Sequence, residues 1–473
     1  MRQDKPGALQ SPVTEDTIMY RKAIEYLTHW LALEARKPLV IRGARQVGKT
    51  WLVRQFATLS DLTLIEINFE KRPDRADLFK SNDPYQILLE LESALNHPID
   101  PKKSLLFLDE IQAAPGILSK LRWFAEDFSE LPVIAAGSLL EFLLHDHTFS
   151  MPVGRITYMH LEPLSFEEFL LAHHKKPLHD YLQTVPFEKL IPQSIHDDCL
   201  SLFREYVIIG GMPAAVSNWI STKSLHDVAT IQHDIIATYR DDFAKYRGRM
   251  SLEKLCDTFS AVPKFLGEKF VFHRVNAEAQ SSSIKQCFEL LCRARVCHRV
   301  SACAGNGIPL AAELKEKYFK SIFLDVGLCS AALGLNFSHI QSPQDLFFIN
   351  KGGMAEQVVG QILRTINPFY LEPALYYWLR DEPNSTAEID YLIQHGPQVI
   401  PIEVKAGSTG SLKSLHLFME LKNYPRALRM NADLPSITPI AVKNRLGKEI
   451  NYTLMSIPFY LVGQIPRLLS EKS

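Results

Sequence analysis

The sequence predicts an α/β protein: a parallel sheet with helices on both faces, a helical lid, a winged helix-turn-helix segment and a second α/β module. Three observations predict it. Short apolar runs alternate with helical periodicity from about residue 20 to 160, the pattern of a parallel sheet covered on both sides. The stretch "IRGARQVGKT" sets two glycines and a Lys-Thr pair just after the first apolar run. Towards the other end, "EIDYLIQHGPQVIPIEVK" reads as two adjacent strands carrying acids among apolar residues.

A chain of 473 residues is too long for one core and is expected to form several domains. The 46% hydrophobic and 22% charged shares exclude a disordered chain. The formal net charge of -1 excludes a global basic field, so any nucleic-acid contact must come from a local patch. The opening "MRQDKPGALQSPVTED" is polar and lacks the apolar core of a secretion signal, so residues 1–19 read as a flexible tail. The richest apolar stretch, "LPVIAAGSLLEFLL", is interrupted by Gly137, Ser138 and Glu141, so no membrane span is expected. Seven scattered cysteines without a Cys-x-x-Cys pair point to a reducing cytoplasm. Cys287, Cys292, Cys297 and Cys303 gather near His298, but their spacing is too loose for a structural zinc site. They read as small buried hydrophobes.

In order, "MYRKAIEYLTHWLALEA" predicts a helix, "PLVIRG" a buried strand and "KTWLVRQFAT" a second helix. "LTLIEINFE" is the next strand, "PYQILLELESALN" a helix with Pro84 near its start, and "SLLFLDEIQ" a strand ending in two acids. The helix "GILSKLRWFAEDF" and the strand "PVIAAGS" follow. These elements place a nucleotide-binding core at 20–160. A mostly helical lid follows at 161–239, broken by a turn at Gly210-Gly211. Over 240–335, short helices precede a hairpin with Gly305-Asn306-Gly307 at its tip, as in a winged helix. The last domain, 336–473, starts with the helix "MAEQVVGQILRTI" and continues into the strands "ALYYWLR", "AEIDYLIQ" and "QVIPIEVKA".

Gly43, Ala44, Arg45, Gln46, Val47, Gly48, Lys49 and Thr50 fit G-x-x-x-x-G-K-[ST] between a strand and a helix. The glycines permit a sharp turn whose N–H groups converge on phosphate oxygens. The following helix points its positive end at them. Lys49 would reach the β- and γ-phosphates of ATP, and the Thr50 hydroxyl would hold Mg²⁺. Asp109 would bind the same ion through its water shell, and Glu110 would polarise the attacking water. Ser138, at the end of a further strand, is placed to orient that water, and Arg155 is a candidate arginine finger in cis or in trans.

"IRGARQVGKT", "INFE", "FLDEIQ", "AAGSLLEF", "VGRITYMHLEPLSFEEF" and "GGMPAAV" resemble the archaeal and bacterial family of AAA-type ATP-binding proteins. "YFKSIFLDVGL", "NKGGMAEQVV" and "EIDYLI…PIEVKAG" are similar to that family's C-terminal domain of unknown function, which is related to restriction endonucleases. The resemblance spans roughly residues 20 to 430 and implies an ATPase core joined to a PD-(D/E)xK-like domain.

Asp390, Glu403 and Lys405 have the matching spacing: an acid, then Glu-x-Lys on the next strand. Strand alternation puts Glu403 and Lys405 on one face. Glu356, on the preceding helix, would complete an oxygen shell for a second Mg²⁺ or Mn²⁺. Lys405 would stabilise a hydroxide or the charged transition state. Lys285, Arg293, Arg295 and Arg299 are candidate phosphate contacts, with Arg240, Lys245, Arg247 and Arg249 in the linker before them.

The expectation is therefore a cytoplasmic Mg²⁺-dependent ATPase coupled to DNA binding or processing, with a C-terminal nuclease site and a homo-oligomeric assembly. The alternative is a nucleotide-driven switch with slow turnover and a non-catalytic C-terminal interaction domain.

Overall fold

Parallel strands joined by helices form the first sheet, in the order β2-β3-β4-β1-β5, in the computed structural model of the chain. The structure describes residues 19–138, 152–246, 250–335, 352–382, 385–405, 412–443, 447 and 449–471. The first unit contains α1 (Ala23–Leu31), β1 (Leu39–Arg42), α2 (Lys49–Leu59), β2 (Thr63–Asn68) and α3 (Pro84–Leu95). It continues with β3 (Ser104–Asp109), α4 (Ile117–Asp127), β4 (Val133–Ala136) and β5 (Thr157–His160). All four pairings are parallel. β3 and β4 are buried at every residue, as strands covered on both faces must be. The Asp83 carboxylate caps α3 by accepting the Tyr85 N–H at 2.9 Å, and Pro84 fits the first helical position.

The expected helical stretch comprises α5 (Phe166–Ala172), α6 (Lys176–Thr184), α7 (Gln193–Ile209), α8 (Pro213–Thr222) and α9 (Leu225–Tyr246). A reciprocal Ser165–Glu168 capping box starts α5. The turn between α7 and α8 does fall at Gly210-Gly211, where a Cβ on Gly211 would lie 2.2 Å from the Leu164 carbonyl oxygen.

The second half begins with α10 (Leu252–Ala261), α11 (Phe272–Val275), α12 (Ser281–Arg293) and the antiparallel hairpin β6 (Cys297–Cys303) and β7 (Leu314–Phe323). Then come α13 (Val326–Ala332), α14 (Gly353–Leu363), β8 (Leu375–Glu382), β9 (Ser385–His395) and β10 (Gln398–Val404). The chain ends through α15 (Lys413–Lys422), β11 (Arg426–Asn431), β12 (Ser436–Lys443), β13 (Glu449–Pro458) and α16 (Ile465–Ser470). One eight-stranded mixed sheet joins these strands in the order β12-β13-β11-β10-β9-β8-β6-β7.

That order corrects the expected wing. β6 pairs in parallel with β8, from Val300–Leu375 to Cys303–Trp378. The hairpin is therefore the far edge of the C-terminal sheet, not a free two-stranded wing beside a helix. A two-stranded hairpin gains more by adding to an existing sheet than by standing alone. The linker arginines Arg247 and Arg249, and residues 1–18 of the expected tail, lie outside the described residues.

A buried ion network ties the two halves together. Glu162, just after β5, receives both arms of Arg364 from the end of α14 at 2.8 and 3.1 Å. Arg295 stands 3.9 Å from the same carboxylate. Arg295 also donates to His160 and to Glu372, each at 3.1 Å. Burial pushes the Glu162 pKa up, but the charge and hydrogen bonds of Arg364, with Arg295 beside it, outweigh burial and hold the carboxyl at about 2. Burial and the Arg364 charge push His298 well below its ordinary value, so it stays neutral and Arg364 is the working partner.

The depressed carboxyl fixes the sign of a pH effect. Its stabilisation is full above the ordinary value of 4.5 and is lost as pH falls towards about 2. Glu162→Gln leaves Arg364 buried without its charge partner and should cost roughly 3–5 kcal/mol at pH 7. Urea unfolding from pH 2 to 7 should show the variant losing less stability than the wild type at the acid end. Superimposable acid limbs would overturn this assignment.

Candidate nucleotide site and a second acid cluster

The phosphate loop runs from the C-terminal end of β1 into α2. Gln46 and Gly48 adopt left-handed φ values of 64° and 92°, which turn successive N–H groups inward. Gly43 is pressed against the chain that follows β5; a Cβ there would lie 2.5 Å from the Leu161 carbonyl oxygen. Arg21, which is buried, holds the loop from behind. It donates to the Val47 carbonyl at 3.0 Å, to the Glu162 carbonyl at 2.7 Å and to Glu168 at 3.1 Å.

Lys49 is only 7% exposed. Its ammonium spans the loop, donating to the carbonyls of Gly43 and Ala44 at 3.0 and 2.8 Å. Burial lowers its pKa to about 8 against the pull of Glu110 and Asp109. The Thr50 hydroxyl donates to the Asp109 carboxylate at 3.2 and 3.3 Å. The β2–β3 register sets Asn68 beside Asp109, and the Asn68 amide donates to it at 3.0 Å. Burial and the neighbouring Glu110 push the Asp109 pKa up.

Glu110 sits at a left-handed φ of 51°, which turns it away from the strand. Its carboxylate accepts from the Gln112 amide at 2.5 Å and from the Ser138 hydroxyl at 3.5 Å. Thus Lys49, Thr50, Asp109, Glu110 and Ser138 gather at one end of the parallel sheet. Arg21, Asn68 and Gln112 are members of this assembly that sequence reasoning missed. Their partners are polar groups that no local motif marks.

Arg155 is not with them. It precedes β5, whose first residue Thr157 pairs with Leu39 at the start of β1, whereas the loop follows the end of β1. Arg155 is therefore at the opposite end of the sheet. It lies 2.5 Å from Glu126 of α4 and is 47% exposed. A finger in cis is excluded by this placement.

Arg45 faces another way. Its guanidinium forms two bonds to Asp242 of α9, at 2.8 and 2.9 Å, and its carbonyl accepts from the Tyr239 hydroxyl at 2.8 Å. Lys245 also reaches Asp242 at 2.8 Å.

The second acidic site does converge, and with more members than expected. Asp390 accepts the Val404 N–H at 2.7 Å, just beyond the last β9–β10 pair, Tyr391–Ile402. Lys405 lies 2.5 Å from Glu403. Glu356 is bonded by Lys320 of β7 at 2.8 Å; Lys320 also bonds Glu388 and stands 3.6 Å from Asp390. Burial pushes the Glu356 carboxyl up to about 7 against the Lys320 charge. Burial, then Asp390, pushes Glu403 up to about 8, and its Oε2 has no hydrogen-bond partner. Among the described residues no three His, Cys, Asp or Glu side chains are arranged to hold a metal ion.

The expected phosphate contacts are largely engaged within the chain. Arg295 belongs to the Glu162 network, and Arg299 lies over the Phe319 ring and donates to the Glu316 carbonyl. Lys285 is 3.9 Å from Glu289 on the exposed side of α12. Cys292 and Cys297 approach to 3.8 Å, while His298 turns to Glu162.

Comparison with known proteins agrees on the first unit. Residues 35–170 match the model of an AAA domain. Residues 200–339 and 351–442 match two models described as domains of unknown function (DUF8612 and DUF4143). No curated protein matches the chain. Among solved structures, the Aeropyrum pernix ORC2 protein in its ADPNP–ADP complexes is 12% identical, covers 66% of this chain and 91% of its own, and has a TM-score of 0.31. The Thermotoga maritima RuvB Holliday junction branch migration motor is 13% identical, with 60% and 90% coverage and a TM-score of 0.29. Likenesses this weak carry no function across. The family match and the five-stranded sheet support an AAA-type ATPase domain. Among the described residues no helix is long and apolar enough to cross a membrane.

Gly43→Ala should weaken nucleotide binding by at least roughly tenfold, because the loop must move off Leu161 to admit a methyl group, a shift of the kind that costs a few kcal/mol. A fluorescent ATP analogue reads the affinity, and circular dichroism checks the fold. An affinity within about twofold of wild type would show that the tight seat is dispensable.

Proposed function

We propose that this chain is a Mg²⁺-dependent ATPase working as a nucleotide-driven switch, in which the state of the phosphate loop is passed to α9 and the C-terminal half. One observation carries the reading. Arg45 lies inside the loop, yet its charge is satisfied by Asp242 on the helix that leads out of the lid.

Within this reading the residues divide the work. The loop N–H groups and Lys49 bind the triphosphate. Lys49 must first leave the Gly43 and Ala44 carbonyls, which hold its ammonium near where phosphate oxygens enter. Thr50 and Asp109, already in contact, are the side chains that would hold magnesium, which when bound neutralises phosphate charge. Glu110, kept in place by Gln112 and Ser138, accepts a proton from the attacking water as the bond to the γ-phosphate breaks. The incoming negative charge competes with Asp242 for Arg45. Asp242 keeps Lys245 as its partner when Arg45 leaves, so the exchange does not strand a buried carboxylate.

The DNA-processing reading has less support. The Arg295 side chain is committed to the domain interface and Arg299 to a ring and a carbonyl. Arg155 keeps only a role in trans, on a second copy of the chain.

Three outcomes test the switch. Lys49→Ala should abolish ATP binding by calorimetry. Wild-type affinity should fall as pH rises above about 8, where Lys49 loses the proton the triphosphate needs. Asp242→Ala should bind ATP at least as well as wild type, yet lose the ATP-induced change in hydrogen exchange over α9 and α10. An unaltered exchange response in that variant would sink the proposed coupling.

A further inference from the structure

We propose that the ammonium of Lys320 is the resident cation of the C-terminal acid cluster, so that this site is lysine-filled, takes no divalent metal and performs no metal-dependent cleavage. The inference stands apart from the ATPase reading and concerns only the second half of the chain.

The donor set argues it. Glu356, Glu388 and Asp390 come from α14 and β9, and all three carboxylates face the same nitrogen. A magnesium or manganese ion bridging them would need oxygens at about 2.1 Å in a near-octahedral shell. The ammonium already fills the space those carboxylates share, and two cations cannot occupy it together.

The lysine has little freedom to swing out. Its side chain is only 3% exposed. Its backbone is held in β7 opposite Val300 of β6, and also bridges to Lys269. Its nitrogen stands 5.5 Å from the centre of the Tyr377 ring. A segment at Gly267 closes over Glu356; a Cβ on that glycine, whose φ is +73°, would lie 2.9 Å from the carboxylate. Leaving this pocket would strand three largely buried carboxylates without their cation, which is strongly unfavourable. The β6–β7 hairpin is thus tied to α14 and β9 by charge and to β8 by strand pairing. Lys405, the lysine that the spacing offered for chemistry, is bonded to Glu403.

Manganese binding to the full chain, without nucleotide, tests this by electron paramagnetic resonance. Wild type and Asp390→Asn should bind the same amount of Mn²⁺. Lys320→Met should gain about one Mn²⁺ per chain with at least roughly tenfold higher affinity, as a freed carboxylate cluster would. The double variant Lys320→Met/Asp390→Asn should lose that gain. ATP affinity at the phosphate loop should be unchanged in all of them, which separates this test from that of the switch. Wild-type Mn²⁺ binding that Asp390→Asn removes would overturn the proposal, as would a folded Lys320→Met that gains nothing. Should Lys320→Met not fold, the wild-type and Asp390→Asn comparison still decides.

Discussion

The seat of the phosphate loop against the chain after β5 is the constraint on which the rest depends. Gly43 touches Leu161, Arg21 ties Val47 to Glu162 and Glu168, and the next residues of that segment start the lid. A loop meant to cradle phosphates must keep its N–H groups aimed inward without help from a ligand. Here the preorganisation comes from packing of backbone on backbone and from one buried guanidinium. The same contacts make the loop sensitive to its surroundings, because its rear wall is also the start of the domain interface.

That interface buries a polar joint within otherwise apolar packing. Glu162 carries its backbone contact to Arg21 on one side and its carboxylate contact to Arg364 on the other. A single residue therefore belongs to the nucleotide unit by its main chain and to the C-terminal half by its side chain. Paired charges of this kind contribute little net stability relative to apolar packing, but they tolerate only one geometry. That property suits a joint whose two sides must keep a defined relation while Arg45 and Asp242 change theirs.

The nucleotide core was legible because its chemistry is local. Glycine spacing, an acid at the end of an apolar strand and strand–helix alternation all lie within short windows. Asn68, Gln112 and Arg21 were not legible, since each acts through a partner set by the fold rather than by spacing. Asn68 meets Asp109 only through the β2–β3 register. The spacing of Asp390, Glu403 and Lys405, with Glu356 on the preceding helix, offered one acidic site but not its contents. What the pattern could not say is that Lys320, in the buried half of β7 between Phe319 and Ser321, would enter their midst. The wing failed for a related reason. An antiparallel hairpin has the same sequence pattern whether its outer edge is free or taken, and the partner of β6 is β8, which follows β7, α13 and α14 in the chain.

The pairing of β6 with β8 also bears on how the chain can be divided. The two stretches matching domains of unknown function share one sheet, since β6 and β7 precede residue 339 and β8 follows residue 351. Cutting between them would uncover the backbone N–H and C=O groups of β8 along an apolar strand, an invitation to pair with another molecule. The last third of the chain, expressed by itself, should therefore be insoluble or self-associating, and the smallest well-behaved piece is one that keeps the hairpin.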